Sequence, residues 1–184
     1  KCASWDETFK KIRRLISLEF LRHRELASSP VLNTYEKEQF SLLANGKADE
    51  VDCEMSLQLL SLYLHRHYGE SAVIIIDEYD TPIQQGYTAG YYEKIVGFMR
   101  NLFSGAFKDN SNLAYGFLTG ILRVAKESIF SGLNNITVHS ILDEKYSKYF
   151  GFTADEVREM TEYYEVPEKY DDIYEWYDGY RFGD

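Results

Sequence analysis

Two carboxylates, Asp77 and Glu78, stand side by side directly after the apolar run Ala72-Val73-Ile74-Ile75-Ile76. The run lacks the alternation of a half-buried strand and is rich in β-branched residues, so it reads as a central parallel strand covered on both faces. Such a strand delivers the residues after it to the carboxyl edge of the sheet, where open parallel sheets bind their ligands. A carboxylate fixed there can hold a magnesium ion on a phosphate group, usually through water. A second one beside it can orient an attacking water or take its proton. Asp77 is the candidate for the metal side and Glu78 for the base. The plain alternative is that parallel strands often end in an acid because the loop beyond them is wet.

A second buried strand is expected over residues 113–119, leading into Phe117-Leu118-Thr119-Gly120-Ile121-Leu122-Arg123. Thr119 closes that strand, where a polar group can sense a terminal phosphate. Arg123 could reach phosphate oxygens with its planar fork of donors. Read plainly, Thr119 is a strand-end hydroxyl satisfying a turn and Arg123 a surface arginine at a helix start. His65 and His67 lack the helical i, i+4 spacing of metal ligands, and His139 stands alone on an expected strand. The Asp178-Gly179-Tyr180 turn reads as structural, pinned by Trp176 and Tyr177.

Several helices must position these groups. Ser4 and Glu7 have the spacing of a capping box, and Trp5, Phe9, Ile12, Ile16 and Phe20 recur at helical intervals, so a helix is expected to about residue 27. Asn33 and Glu36 open a second helix that ends near Asn45-Gly46. Asp49 caps a third, whose apolar residues run nearly all the way round and whose expected packing surface is a sheet. Gly69 breaks it. A helix over 91–107, a short helical stretch over 126–130 and a third strand over 136–141 (ITVHSI) complete a strand–helix–strand–helix–strand pattern, which means a mostly parallel sheet with right-handed crossovers. Thr153 and Glu156 form another capping box.

The chain has 184 residues, 45% hydrophobic and 27% charged, enough to bury a core and unlike a disordered tail. Its net charge of −10 opposes nucleic-acid binding through the general field. Thr153 to Asp184 holds eleven acids against three bases and seven Tyr or Trp residues, an acidic, aromatic surface. Cys2 and Cys53 are too few for a disulfide scaffold or a structural zinc site, so reduced thiols in a cytoplasmic protein are expected. The longest apolar run, residues 72–76, is far short of a membrane span. The chain begins at Lys1 without Met and reads as a piece of a longer protein.

Long ordered segments carry a resemblance. They are Ile74-Ile75-Ile76-Asp77-Glu78-Tyr79-Asp80-Thr81-Pro82, then Lys108-Asp109-Asn110, and Leu118-Thr119-Gly120-Ile121-Leu122-Arg123 with the twelve residues after it to Asn135. Phe150-Gly151-Phe152-Thr153, Glu156-Val157 and Trp176-Tyr177-Asp178-Gly179-Tyr180 continue it. From about residue 73 onward the chain resembles the predicted AAA-ATPase-like family of bacterial proteins, in which an ATPase module is often followed by a PD-(D/E)XK-type nuclease domain. The resemblance implies an incomplete three-layer P-loop NTPase-type parallel sheet with a small helical C-terminal appendage. Residues 1–142 would be the partial α/β core, with a Walker-B-type strand at 73–78, and 143–184 the appendage. It implies Asp77 on magnesium, Glu78 as the base, and Thr119 and Arg123 as phosphate-sensing groups. Magnesium and ATP would then be cofactor and substrate of the full-length protein, with a nuclease-like domain attached.

The phosphate loop itself is absent. No G-x-x-x-x-G-K-[ST] occurs: Gly46-Lys47 is followed by Ala48, has Ser41 where the leading glycine belongs, and follows a helix. This stretch of chain is therefore expected not to bind ATP tightly alone, and its unpaired sheet edge invites self-association. The rival reading is a non-catalytic interaction or regulatory scaffold derived from an NTPase fold.

Overall fold

The computed structural model describes residues 4–121, 129–130, 133 and 136–177. They fall into two compact units divided between residues 134 and 135. In the first, helix α1 (Trp5–Arg22) leads through a 3-10 turn at Arg24–Ser28 to α2 (Thr34–Ala44) and α3 (Glu50–Tyr68). Strand β1 (Ala72–Ile76), helices α4 (Thr81–Ala89) and α5 (Tyr92–Phe107), and strand β2 (Leu113–Leu118) follow.

The helix starts obey the local rules read from the sequence. Ser4 accepts from the Glu7 N–H, and Asn33 with Glu36 and Asp49 with Asp52 form reciprocal capping boxes that satisfy orphan N–H donors. Gly69 ends α3 in the left-handed region at φ 79°, its N–H donating to the His65 carbonyl. The chain can then reverse directly into β1. The sequence pattern assigns no element to the residues of helix α4. Pro82 in its first turn, where a missing N–H costs nothing, and Gly90 beyond its end at φ 81° are the signals that mark it.

Helix α5 is the centre of the unit. It buries Ile95, Val96, Phe98, Met99, Leu102, Phe103, Ala106 and Phe107. Trp5 and Phe9 of α1 pack on Phe98 with ring centroids 5.9 and 6.0 Å away. Helix α3 lies chiefly against α5 and only secondarily on β1, which corrects the expectation that its broad apolar surface faces a sheet.

Among the described residues the sheet has two strands, β1 and β2, paired in parallel with Ile74 opposite Gly116 and Ile76 opposite Leu118. Ile74, Ile76, Leu113 and Leu118 face the helical core. Val73, Ile75, Tyr115 and Phe117 do not: Ile75 is 69% and Phe117 55% exposed. The expectation of a strand covered on both faces is therefore corrected, since one face is bare. The expected third strand is also absent. Residues 136–140 have no regular structure, and at their end the Asp143 carboxylate accepts from the Ser140 N–H while the Asp143 N–H returns to the Ser140 carbonyl. That local turn competes with strand pairing. The helical stretch at 126–130 falls largely outside the described residues, as do Cys2 and the Asp178-Gly179-Tyr180 turn.

The second unit holds a 3-10 turn at Glu144–Tyr149, helix α6 (Ala154–Tyr163), a 3-10 turn at Pro167–Lys169 and helix α7 (Tyr170–Tyr177). Thr153 and Glu156 form the capping box of α6, and Arg158 places its guanidinium 4.8 Å from the centre of the Tyr170 ring. Tyr163, Tyr164, Trp176 and Tyr177 are exposed.

Candidate functional site

The ladder of the two strands continues past their ends. The Thr119 N–H donates to the Ile76 carbonyl at 3.0 Å, and the Tyr79 N–H donates to the Thr119 carbonyl at 3.0 Å. These bonds seat the residues after β1 beside those after β2. Glu78 lies between them with φ 51°, a left-handed conformation that costs a non-glycine residue about 1–2 kcal/mol. The turn it makes aims its N–H at Asp77 Oδ1, 3.0 Å away, and at Thr119 Oγ1, 3.3 Å away. The Thr119 hydroxyl in turn donates to Asp77 Oδ1. Asp77, Glu78 and Thr119 thus form one exposed cluster at the carboxyl edge of the sheet, with Asp77 held by two donors. Thr119 is engaged with Asp77 in this arrangement. Arg123 lies outside the described residues.

Two residues beside the cluster were not singled out by the sequence reading. Asp80 is a carboxylate only 1% exposed. Its Oδ2 accepts from the Gln84 side-chain amide at 2.8 Å and from the Ile121 N–H at 3.2 Å, so it spans from the start of α4 to the loop after β2. Gly120 sits in that span, where an added Cβ would lie 2.8 Å from both Asp80 Oδ1 and the Tyr79 ring. Tyr79 cannot yield easily, because it packs edge-on against Phe103 and Phe130. The sequence signals were an Asp directly before the Thr-Pro that opens a helix and a Gly directly after a strand-closing Thr.

Among the described residues no group of three His, Cys, Asp or Glu side chains could hold a metal. The His67 ring instead pairs with Ser29 at 2.8 Å. Magnesium, however, is commonly held by one or two carboxylates, the rest of its shell being water and phosphate oxygens. Asp77 and Glu78, exposed hard-oxygen donors beside a hydroxyl, fit that requirement. A separate groove of about 690 Å³ lies between the start of α1 and the α4–α5 turn, lined by Trp5, Asp6, Tyr87, Tyr92 and neighbours. It includes none of the clustered residues. Cys53 is buried, and burial pushes its thiol up to about 11.

The chain is 34% identical over 123 residues to a protein of Azotobacter chroococcum mcd 1 described as an uncharacterized protein in the vnfD 5' region. That match covers 64% of this chain and 23% of the relative, so the chain spans about a quarter of the length of the curated protein it matches. No solved structure matches it. The family model described as Predicted AAA-ATPase matches residues 4–130, a stretch that contains Asp77, Glu78, Asp80 and Thr119. The chain belongs to the predicted AAA-ATPase family.

Proposed function

We propose that this chain supplies the acid-bearing edge of a P-loop-type ATPase site that is completed in a longer protein. The observation that carries the reading is the bonding of Thr119 to Asp77 across the carboxyl ends of two parallel strands, with Glu78 beside them. Bound magnesium would neutralise charge on the nucleotide phosphates. Asp77, its Oδ1 fixed by the Glu78 N–H and the Thr119 hydroxyl, would orient toward it, and the exposed Glu78 carboxylate would take the proton of an attacking water. Thr119 would hold Asp77 in place, and Arg123 would contact phosphate.

In the full-length protein, Glu78→Gln is expected to keep nucleotide binding and raise the hydrolytic barrier by about 2–4 kcal/mol, as for other positioned catalytic groups. Steady-state ATP turnover with a parallel binding measurement checks this, and unchanged hydrolysis removes Glu78 from the mechanism. The 184-residue chain, without a phosphate loop, is expected to show no micromolar affinity for magnesium–ATP by titration calorimetry. A second reading, a non-catalytic interaction scaffold, is favoured by the bare apolar face of the sheet. It gains if the full-length protein hydrolyses no ATP and associates through that face or the free strand edge.

A further inference from the structure

We propose that Asp80 is a positioning residue that acts through the β2 exit loop to hold Thr119 on Asp77. The inference rests on the ATPase reading for its catalytic consequence, though its structural part stands without it. Thr119 is the last residue of the β2 ladder, and beyond it the loop at Gly120–Ile121 has no strand partner. Among the described residues, the hydrogen bond that ties that loop down runs from the Ile121 N–H to the Asp80 carboxylate. The Ile121 side chain is 90% exposed, so the loop is not anchored by burying it.

The carboxylate is itself fixed. It is buried, and the Gln84 amide one turn into α4 donates to the same oxygen. The Asp80 carbonyl also receives the Ile83 and Gln84 N–H groups at 3.1 and 2.9 Å, so side chain and backbone both belong to the first turn of α4. The Gln84 bond, at 2.8 Å, is short, and the Ile121 bond, at 3.2 Å, lies at the long end of the ordinary range. Gly120 lets the two loops close, since any side chain there would collide with Asp80 and Tyr79.

The result is a clamp with Thr119 near its middle. On one side lies the pair of backbone bonds to Ile76 and Tyr79, on the other the Asp80–Ile121 bond. Cutting the second side lets Thr119 turn about its remaining bonds and leave Asp77. A displacement of about 1 Å at a reacting group can cost on the order of a hundredfold in rate.

The test compares Asp80→Ala, Thr119→Ala and the double variant in the full-length protein, by ATP turnover and by hydrogen exchange of the Glu78 and Ile121 amides. Asp80→Ala should slow turnover by roughly tenfold to a hundredfold and speed exchange at both amides. The double variant should be no slower than the worse single variant, because both changes break one linkage. Asp80→Ala that folds and turns over like wild type overturns the inference, as do effects that multiply in the double variant. If Asp80→Ala does not fold, Ile121→Pro decides, since it removes the donor of the Asp80 bond while leaving Asp80 in place. Because proline also fixes φ and restrains Gly120, Ile121→Ala, which keeps the N–H, is its control and should behave like wild type. Ile121→Pro should slow turnover and unprotect Glu78, and wild-type behaviour in both overturns the inference. If the wild-type protein hydrolyses no ATP, the ATPase reading fails and exchange alone decides: protection of Glu78 lost on Asp80→Ala upholds the clamp, and protection unchanged overturns it.

Discussion

Gly120 shows how closely the two loops of the site meet. A methyl group there would stand 2.8 Å from a buried carboxylate oxygen and from a ring packed edge-on against the stacked pair Phe103 and Phe130. Neither is the free end of a flexible side chain. Gly120→Ala is therefore expected to destabilise the protein by about 1–3 kcal/mol, the range for overpacking a filled site. Urea unfolding checks it, and a variant within about 0.5 kcal/mol of wild type would show that the loops separate without cost. Cys53 gives a second prediction at this scale. Its thiol is buried and its ionisation is pushed up to about 11. The thiolate is the reactive form, so Cys53 should resist a thiol reagent at pH 8 in the native protein and react once denaturant opens the core. Prompt labelling of Cys53 in the native state, located by peptide mapping, would contradict the burial.

At the scale of elements, helix ends carry the most transferable physics. Glu156 closes the capping box of α6, and the bonds it accepts from the Thr153 N–H and hydroxyl hold its carboxyl below the ordinary glutamate value. A lowered folded-state pKa means that the stabilisation is complete above the unfolded value of 4.5 and is lost as pH falls through the lower folded value. Thr153→Ala removes the hydroxyl bond but keeps the N–H bond, the larger cause. It should therefore move the Glu156 titration only part of the way back toward 4.5, read by NMR, and fray the start of α6. A titration that does not move would show that the Thr153 hydroxyl makes no bond to Glu156 in solution. The same locality explains what the sequence made legible. Ser4, Asn33, Asp49 and Thr153 mark helix starts because a cap depends on a few neighbouring residues. The β1 run was legible from its β-branched content and the polar break after it, and the strand ending at Leu118 from its apolar and aromatic residues set between a turn and Thr119-Gly120. So was the meeting of Asp77, Glu78 and Thr119, since parallel neighbours place their carboxyl ends side by side. Asp80 was not legible as a linker, because nothing in its type separates it from the two acids before it and its partner Ile121 is forty-one residues away. The stretch at 136–141 misled because its β-branched residues match a strand while Asp143, just beyond, bonds back to Ser140. Coverage of Val73 and Ile75 depends on what packs over them, and no local pattern encodes that.

For the whole molecule, the core and the charge are unevenly shared. Among the described residues, every member of the hydrophobic core cluster lies between Trp5 and Leu133. Residues 135–184 carry thirteen acids and five bases, a net −8, which leaves −2 for residues 1–134. Truncation after residue 134 therefore removes no member of that cluster and most of the net charge. The shortened chain is expected to unfold cooperatively, with a midpoint within a few degrees of the 184-residue chain, as a change of under about 1 kcal/mol would give. It is also expected to associate more readily at neutral pH, because a net charge near zero no longer opposes contact between copies that each present the bare face of Val73, Ile75, Tyr115 and Phe117. Calorimetry and light scattering on the two lengths separate these effects. Replacing Ile75 and Phe117 with Thr in the shortened chain should restore the dispersed state with little loss of stability, since both side chains are already largely in water. A broad, non-cooperative transition on truncation would show that the acidic unit is needed to fold the first. Association unaffected by the two replacements would place the contact elsewhere on the molecule.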